Sequence, residues 1–381
     1  MTTNNEHKNI KVPNLRFPEF QGEWEELGLS EFLDFKNGLN PKPDKFGKGI
    51  KFISVMDILN NAVITYDCIK ASVDVTEKEL SDFSVEKGDM LFQRSSETLE
   101  DVGRANVYMD DKTAVFGGFV IRGKRKGEYD PQYFNYLLRS PFARKRIIPM
   151  GAGAQHFNIG QEGLSKVKLH FANIEEQKKI GKMLSLLDER IATQNKIIDK
   201  LQSLIKGIAQ KIVYSNKTNV RLSECVECSS STLQESDVCE HGAYPVYGAN
   251  GIVGYLDNYN TEGEAVYIIK DGSGVGTVSY VTGKCSATGT LNTLQAKEGY
   301  SLQYLYYLLK VFNFEPYKTG MAIPHIYFKD YGKAEFFCPS YIEQLQYAQS
   351  LSAIDSKLLV EKNILTSLSM QKQYLLRQMF I

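Results

Sequence analysis

The feature that most constrains this chain is the stretch 173–213, whose apolar side chains recur at alternating intervals of four and three residues. This spacing is typical of a coiled-coil helix. Asn173 and Glu176 predict an N-cap with a capping-box partner, because both side chains can accept hydrogen bonds from free amide groups of the first turn. The predicted seam consists of Ile180, Leu184, Leu187, Ile191, Gln194, Ile198, Leu201, Ile205, Ile208 and Ile212.

The last forty or so residues repeat this pattern after a shift of 167 positions, which places Ser340 and Glu343 at a second capping box and Asp355 at the position of Asp188. One helix cannot bury its apolar stripe alone, and the simplest partner in the chain is the copy. Two positions of the copy are charged where a seam is apolar. The copied seam consists of Tyr347, Leu351, Ile354, Leu358, Glu361, Leu365, Leu368, Lys372, Leu375 and Met379.

The regions before the two helices also repeat. Short β-rich runs dominate both, and a helical segment predicted at Pro131–Arg139 matches the later segment 303–309. The segments defined by these patterns are a lead-in at 1–23, globular domains at 24–172 and 216–339, a central helix at 173–215 and a C-terminal helix at 340–381.

These repeats predict an α+β fold with two similar, mixed, β-rich domains separated by two long antiparallel helices. The helices form an intramolecular coiled coil, and the halves are related by a pseudo-twofold axis. Gln194 and Glu361 fall near the middle of their helices, so antiparallel pairing is expected to join them in one polar layer. Such a layer costs stability but penalises slipped registers.

Composition narrows the class of protein. The 381 residues carry 45 basic and 45 acidic side chains, which argues against a non-specific nucleic-acid coat. Residues 214–340 are net acidic, with 9 basic and 13 acidic side chains. The start of the chain lacks the apolar core of a signal peptide, and no apolar run reaches the ~20 residues of a membrane span, so we expect a cytoplasmic protein without a membrane partner.

No motif in the sequence predicts catalysis. Asp271–Thr277 is rich in glycine, but a strand follows where a P-loop requires Gly-Lys-Ser/Thr and a helix, so a turn is the favoured interpretation. No methyl-transfer loop or Walker pair is present, and the histidines show no pairing typical of a triad. The sequence leaves open whether Cys225, Cys228, Cys239 and His241 hold zinc or are free side chains.

Polar and basic residues at predicted turns and strand ends of both globular regions favour DNA recognition. Arg, Gln and Asn pair with base edges, whereas Lys, Ser and Tyr mostly contact phosphate, although each is also typical of a solvated loop. The candidate DNA-binding residues are Gln93, Arg94, Ser95, Ser96, Arg104, Gln155 and His156 in the first region, and Tyr247, Asn250, Lys270, Ser273, Lys318 and His325 in the second.

Three features, in this order, resemble the DNA specificity subunits of type I restriction-modification systems. They are the lead-in at 14–24 (NLRFPEFQGEW), the segment 244–255 (YPVYGANGIVGY), and the openings of both predicted helices, at 173–177 (NIEEQ) and 340–344 (SYIEQ). The resemblance covers nearly the whole chain.

The resemblance implies that each globular region is a target recognition domain that reads one half of a bipartite sequence in double-stranded DNA. The helices would set the unread spacer and dock two methylase subunits, and restriction subunits with motor and nuclease activity would join them. This chain would be non-catalytic and hold no cofactor or metal, while S-adenosylmethionine, ATP and Mg would belong to partner subunits.

The two regions differ in their candidate loops, because 93–96 reads Gln-Arg-Ser-Ser where we align Ile-Ile-Lys-Asp at 268–271. We therefore expect the two half-sites to differ. An alternative function is a scaffold whose coiled coil bridges two protein partners. A scaffold would lack the steep salt dependence of DNA binding, and that dependence would distinguish the two functions.

Overall fold

The structure, a computed structural model, describes residues 11–215, 217–320 and 322–381, so the first ten residues of the predicted lead-in lie outside it. The chain forms two compact units. Unit 1 comprises the described residues up to Gln194 together with Ile364–Ile381, and unit 2 comprises Asn195–Asn363. In the described part of the chain, no helix is long and apolar enough to cross a membrane.

Short strands and helices precede the central helix of the chain. The strands are β1 (Glu25–Gly28), β2 (Leu33–Asn37), β3 (Phe46–Ile53), β4 (Ser72–Val73), β5 (Ser84–Val85), β6 (Met90–Gln93), β7 (Ser95–Ser96), β8 (Ala105–Val107), β9 (Ala114–Phe116), β10 (Val120–Arg125), β11 (Phe157–Asn158) and β12 (Lys168–Phe171). The helices are α1 (Leu29–Phe32), α2 (Val55–Asn60), α3 (Glu77–Phe83), α4 (Pro131–Arg139), α5 (Pro141–Ile147), α6 (Gln161–Ser165) and α7 (Ile174–Ser215).

A similar set follows the central helix. The strands are β13 (Val220–Arg221), β14 (Val226–Ser230), β15 (Tyr244–Gly248), β16 (Gly251–Leu256), β17 (Glu264–Ile269), β18 (Val278–Thr282), β19 (Ser286–Ala287), β20 (Leu291–Ala296) and β21 (Glu335–Phe336). The helices are α8 (Leu222–Cys225), α9 (Leu302–Leu309), α10 (Phe328–Tyr331) and α11 (Tyr341–Gln378).

Each unit is built on a four-stranded antiparallel sheet. The strand order is β2-β10-β6-β8 in unit 1 and β14-β20-β17-β18 in unit 2. The ladders correspond residue by residue, because Gln93 pairs with Val120 as Ile269 pairs with Leu291. The predicted internal repeat is therefore present in the strand order and in the register of the sheets.

The predicted helix at Pro131–Arg139 is confirmed as α4. Asp130 caps it, since its Oδ1 accepts a hydrogen bond from the Tyr133 amide at 2.8 Å, and a proline at the first helical position needs no amide partner. The apolar face of α4 is buried in the core of unit 1, where Phe134 and Leu137 lie with Phe92 of the sheet. The helix is thus fixed against the strand that ends at Gln93.

The two capping boxes predicted for the long helices differ in outcome. At α11 the box is confirmed, because the Glu343 carboxylate accepts from the Ser340 amide at 3.1 Å and the Glu343 amide donates to Ser340 Oγ at 3.4 Å. At α7 half of it is wrong. Asn173 Oδ1 accepts from the Glu176 amide at 2.9 Å, but the Glu176 carboxylate binds Arg16 instead.

Glu176 is the point at which the lead-in is attached to the helix. Arg16 donates from Nε and Nη2 to the two carboxylate oxygens, both at 2.8 Å, and Trp24 Nε1 donates at 3.3 Å. The carboxylate is fully buried, so these donors replace its hydration. A contact 160 residues away in sequence has displaced the local cap.

The long helices run antiparallel within unit 1. Later residues of α11 pack beside earlier residues of α7, as Leu376 shares a core with Ile180, while Lys372 forms an ion pair with Asp188 at 2.5 Å. Of the predicted coiled-coil residues, Leu184, Leu187, Gln194, Ile198, Leu351, Leu358, Glu361 and Leu368 are buried, and Ile191, Leu201, Ile354 and Leu365 are partly buried.

Both units attach the globular part to its helix in the same way. The Gln177 amide oxygen accepts from the Asp130 backbone at 3.0 Å, and the Gln344 oxygen accepts from the Ser301 backbone at 2.9 Å. Asp130 and Ser301 are the N-cap residues of α4 and α9. Gln177 therefore holds the start of α4, and Gln344 holds the start of α9.

Candidate DNA interface

The end of the central strand β6 organises the candidate residues of unit 1. The Arg94 amide donates to the Phe119 carbonyl, and the Arg94 carbonyl accepts from the Ile159 amide, both at 2.9 Å. Its guanidinium donates from Nη1 to the Gly118 carbonyl at 3.3 Å. Arg94 is thus held between the β9–β10 turn and the segment leading into α6, with its side chain partly exposed.

The neighbouring candidates lie at the same edge. Ser95 and Ser96 form β7, which pairs with β11, and Ser95 Oγ donates to Asn158 Oδ1. Gln155 and His156 are exposed and directly precede β11. The structure therefore brings together two stretches that are sixty residues apart in sequence.

Gln93 and Arg104 also meet at this edge, with different roles. The Gln93 amide donates to the Arg104 carbonyl at 2.7 Å, and Arg104 Nε donates to Asp101 at 2.7 Å from a largely exposed side chain. The Gln93 side chain is buried, and its Nε2 donates to the Ser95 carbonyl at 2.9 Å. The buried Gln93 side chain therefore supports the edge and is not presented to a DNA base.

Unit 2 repeats this arrangement around Lys270. The Lys270 amide donates to the Thr290 carbonyl at 3.0 Å, and its carbonyl accepts from the Ile326 amide at 2.9 Å. Asp271 and His325 form the next rung, with 2.6 Å between Asp271 Oδ1 and His325 Nδ1. Lys270 therefore occupies the position of Arg94.

The remaining candidates of unit 2 spread outward from this rung. Ser273 lies exposed in the β17–β18 turn, and Lys318 bonds Glu315 at 2.6 Å just before the strand-like pairing that holds His325. Tyr247 lies in β15, and Asn250 is exposed in the turn that follows. Asn250 and Tyr247 belong to the small β16-β15-β19 sheet rather than to the sheet that carries Lys270.

Comparison with known proteins identifies the family of this chain. The family described as type I restriction modification DNA specificity domain matches residues 21–203 and 214–370. The chain belongs to this family. Because the family model matches twice, the chain carries two copies of the DNA specificity domain.

Individual relatives agree with the assignment. The chain is 24% identical over 258 residues to the type I restriction enzyme MjaVIII specificity subunit of Methanocaldococcus jannaschii, a match that covers 62% of this chain and 56% of the relative. The chain spans about half the length of the curated relatives it matches.

Two solved structures share the fold. The type I restriction-modification S subunit of M. genitalium superposes with a TM-score of 0.66 at 19% identity, covering 97% of this chain and 99% of that one. A chain from a structure concerning complex assembly and conformational transition of the type I R-M system superposes with a TM-score of 0.55 at 14% identity, covering 93% and 96%.

The candidate DNA-binding residues predicted from the sequence did not include Asn158. Asn158 exchanges backbone hydrogen bonds with Ala152 as His325 does with Thr319, so Asn158 and not His156 is the counterpart of His325. The shift of 167 positions that relates the helices also relates this pair, and it could have revealed Asn158.

The sequence alignment of the loops was wrong by one residue. The strand pairing shows that Ile269 of unit 2 is equivalent to Gln93 of unit 1, and that Asp271 is equivalent to Ser95. Phe119 was also missed, although its side chain is 68% exposed beside Arg94. Its counterpart in unit 2 is Thr290, so the two edges differ in apolar surface as well as in charge.

The structure locates the glycine-rich segment and the cysteine side chains for which the sequence offered two interpretations each. Asp271–Thr277 is a turn between β17 and β18, closed by the Gly276 amide on the Ile269 carbonyl at 2.9 Å. Cys225 is buried with its Sγ 4.0 Å from that of Cys338. Among the residues that the structure describes, no three His, Cys, Asp or Glu side chains are grouped to hold a metal ion.

Proposed function

We propose that this chain is the DNA specificity subunit of a type I restriction-modification complex, in which each unit reads one half of an asymmetric, bipartite DNA target. One observation carries the proposal. The equivalent sheets of the two units place Arg94 and Lys270 at the same strand end, Arg94 in unit 1 and Lys270 in unit 2. Arginine contacts guanine two-pronged in the major groove, and lysine contacts guanine or phosphate.

The proposed DNA contacts are exposed or partly exposed residues of the two edges and, in unit 2, of the neighbouring β16-β15-β19 sheet. In unit 1 they are Arg94, Ser95, Ser96, Arg104, Gln155 and His156, with Asn158 and Phe119 added. In unit 2 they are Tyr247, Asn250, Lys270, Ser273, Lys318 and His325. Since Ser95 and Asn158 correspond to Asp271 and His325, the edges present different hydrogen-bonding groups, which supports two different half-sites.

We further propose that α7 and α11 set the spacer and dock two methylase subunits. Exposed apolar side chains on α11, among them Ile342, Leu345, Leu359 and Val360, support a protein-binding role for that helix. The acidic balance of residues 214–340 supports a division of labour in which the methylase supplies much of the affinity for DNA.

In this proposal, the chemistry belongs to partner subunits in the cytoplasm. The methylase would use S-adenosylmethionine to modify adenine, and restriction subunits would use ATP and Mg to translocate and cleave. This chain would supply recognition only and would carry no cofactor of its own.

The test is single-molecule methylation mapping of genomic DNA from cells that express this chain with its neighbouring methylase, compared with cells lacking this chain. We expect a split, asymmetric, adenine-methylated motif that disappears when this chain is deleted. If no motif depends on this chain while the methylase co-purifies with it, the recognition proposal is overturned.

A further inference from the structure

A cavity of about 380 Å³ in unit 1 is lined by four cationic side chains. It lies where α4, α5 and α11 meet, and Arg104, Arg139, Arg144 and Lys372 reach it, with Glu100 as the one acidic lining residue. A water molecule in liquid occupies about 30 Å³, so the cavity has room for roughly a dozen waters or for a hydrated anion.

Two of these cations already have acidic partners. Arg104 pairs with Asp101 at 2.6 Å, and Lys372 pairs with Asp188 at 2.5 Å. The Asp188 carboxylate also accepts from the Tyr136 hydroxyl at 2.7 Å. These ion pairs compensate the charges of Arg104 and Lys372. The positive charge that remains in the cavity is that of Arg139 and Arg144.

Arg139 and Arg144 donate their hydrogen bonds to neutral backbone carbonyl groups. Arg139 donates to the carbonyls of Asn61 and Ala105, both at 3.2 Å. Arg144 Nη2 donates to two further carbonyls, at 2.7 and 2.8 Å. Within the described part of the chain, Arg144 Nη1 is buried and has no hydrogen-bond partner.

Leaving a buried guanidinium nitrogen without an acceptor is unfavourable. Burial, together with the neighbouring positive charge of Arg104, lowers the pKa of Arg144 to about 10. An anion bound in the cavity would counter both effects. The geometry and the electrostatic field therefore favour the same kind of ligand.

Unit 2 has a cavity at the corresponding place. Its volume is about 290 Å³, and Lys206, Lys310 and Lys362 line it together with Tyr307 and Asp355. The Tyr307 hydroxyl donates to Asp355 as that of Tyr136 does to Asp188. Basic side chains thus line both cavities, although their types and positions differ.

We propose that the cavity of unit 1 binds a phosphate group, with Arg144 and Arg139 as its principal donors and Arg104 at its mouth. Planar guanidinium groups match the oxygens of phosphate in two-pronged hydrogen bonds. The phosphate comes from a DNA backbone or from a free phosphate compound, and both present the same oxygens. The proposal does not depend on the DNA-reading function, because inorganic pyrophosphate serves as its probe.

The test compares pyrophosphate binding by calorimetry for the full chain, Arg144→Gln and Arg146→Gln. Arg146 lies on the same helix and is exposed, so Arg146→Gln removes the same charge outside the cavity. We expect Arg144→Gln to weaken binding about tenfold or more and Arg146→Gln to leave it nearly unchanged. Arg104→Gln, at a largely exposed side chain, gives a second reading if Arg144→Gln folds poorly.

Absence of pyrophosphate binding to the full chain, or equal binding by all variants, overturns the proposal. The source of the phosphate is then read from DNA binding by the complex with methylase at several salt concentrations. A DNA phosphate predicts that Arg144→Gln lowers the slope of log affinity against log salt by about one. A free phosphate compound predicts an unchanged slope and loss of pyrophosphate binding alone.

Discussion

Glu176 and Glu343 occupy matching positions in the two copies, but their carboxylates have different partners. Glu343 is exposed and closes a capping box with Ser340, whereas Glu176 is buried and binds Arg16 through two hydrogen bonds. The hydrogen bond to Glu176 raises the pKa of the Arg16 guanidinium. The same residue type thus serves as a local cap in one helix and as a long-range anchor in the other.

This difference predicts unequal effects of one substitution. Glu176→Gln should lower the free energy of unfolding by about 3 kcal/mol, because it removes one partner of a buried charge pair. Glu343→Gln is the matched control and should cost within about 1 kcal/mol, as expected for an exposed cap. Denaturant unfolding of both variants measures the difference, and equal losses would contradict the anchoring role.

Arg94 and Lys270 allow the reading of each half-site to be tested separately. Arg94→Ala should relax one half of the methylated motif, since a two-pronged contact contributes about 1–3 kcal/mol of base discrimination. Methylation mapping should show the other half unchanged. Lys270→Ala should affect only the half read by unit 2, and the exposed Arg146→Ala should affect neither.

The contrary results are specific. If both halves of the motif were unchanged after Arg94→Ala, Arg94 would not be a base-reading residue. A change in both halves would indicate loss of fold, which a melting curve would reveal.

At the scale of the helices, Lys372 accounts for a break in the predicted seam. Its counterpart in α7 is the buried Ile205, yet Lys372 is only 20% exposed and pairs with Asp188, itself 15% exposed. In unit 2 the equivalent Asp355 receives a lysine from the end of α9 instead, since Lys310 lies 3.6 Å away. Both units thus pair the aspartate with a lysine, but from different elements.

Lys372→Ile should therefore destabilise unit 1 even though it restores an apolar heptad. Asp188 would lose its cation, and we expect a loss of about 2 kcal/mol in the free energy of unfolding because both side chains are largely buried. Adding Asp188→Asn should recover much of the loss in a double-mutant cycle. Additive losses in that cycle would argue that the ion pair is not the cause.

The elements that sequence reasoning predicted are those set by local periodicity. Helix α4 begins after Asp130 and ends at Arg139 as its apolar spacing indicates, and the antiparallel pairing of α7 with α11 follows from their shared phase. Partners far apart in sequence that share no periodic pattern could not be predicted. No periodic signal joins Arg16 to Glu176 or Ser95 to Asn158, since these contacts depend on how strands and helices pack.

On the scale of the whole chain, duplication and divergence act on different parts. The glutamines at the helix openings and the tyrosine–aspartate bonds are the same in both units, so the join between sheet and helix is preserved. The strand-end edges have diverged. A repeated frame with different edges is what recognition of two unlike half-sites requires.

This division predicts that a recognition unit can be exchanged without altering the other. Replacing residues 24–172 with the matching region of another specificity chain should change one half of the methylated motif and keep the second half and the spacer length, because the glutamine and aspartate that hold the sheet lie on α7. Methylation mapping of the hybrid measures all three features together. Exchange of residues 216–339 is the reciprocal experiment and should change the opposite half. If either exchange altered both half-sites, each unit could not be reading its own part of the DNA, and recognition would have to be shared between them.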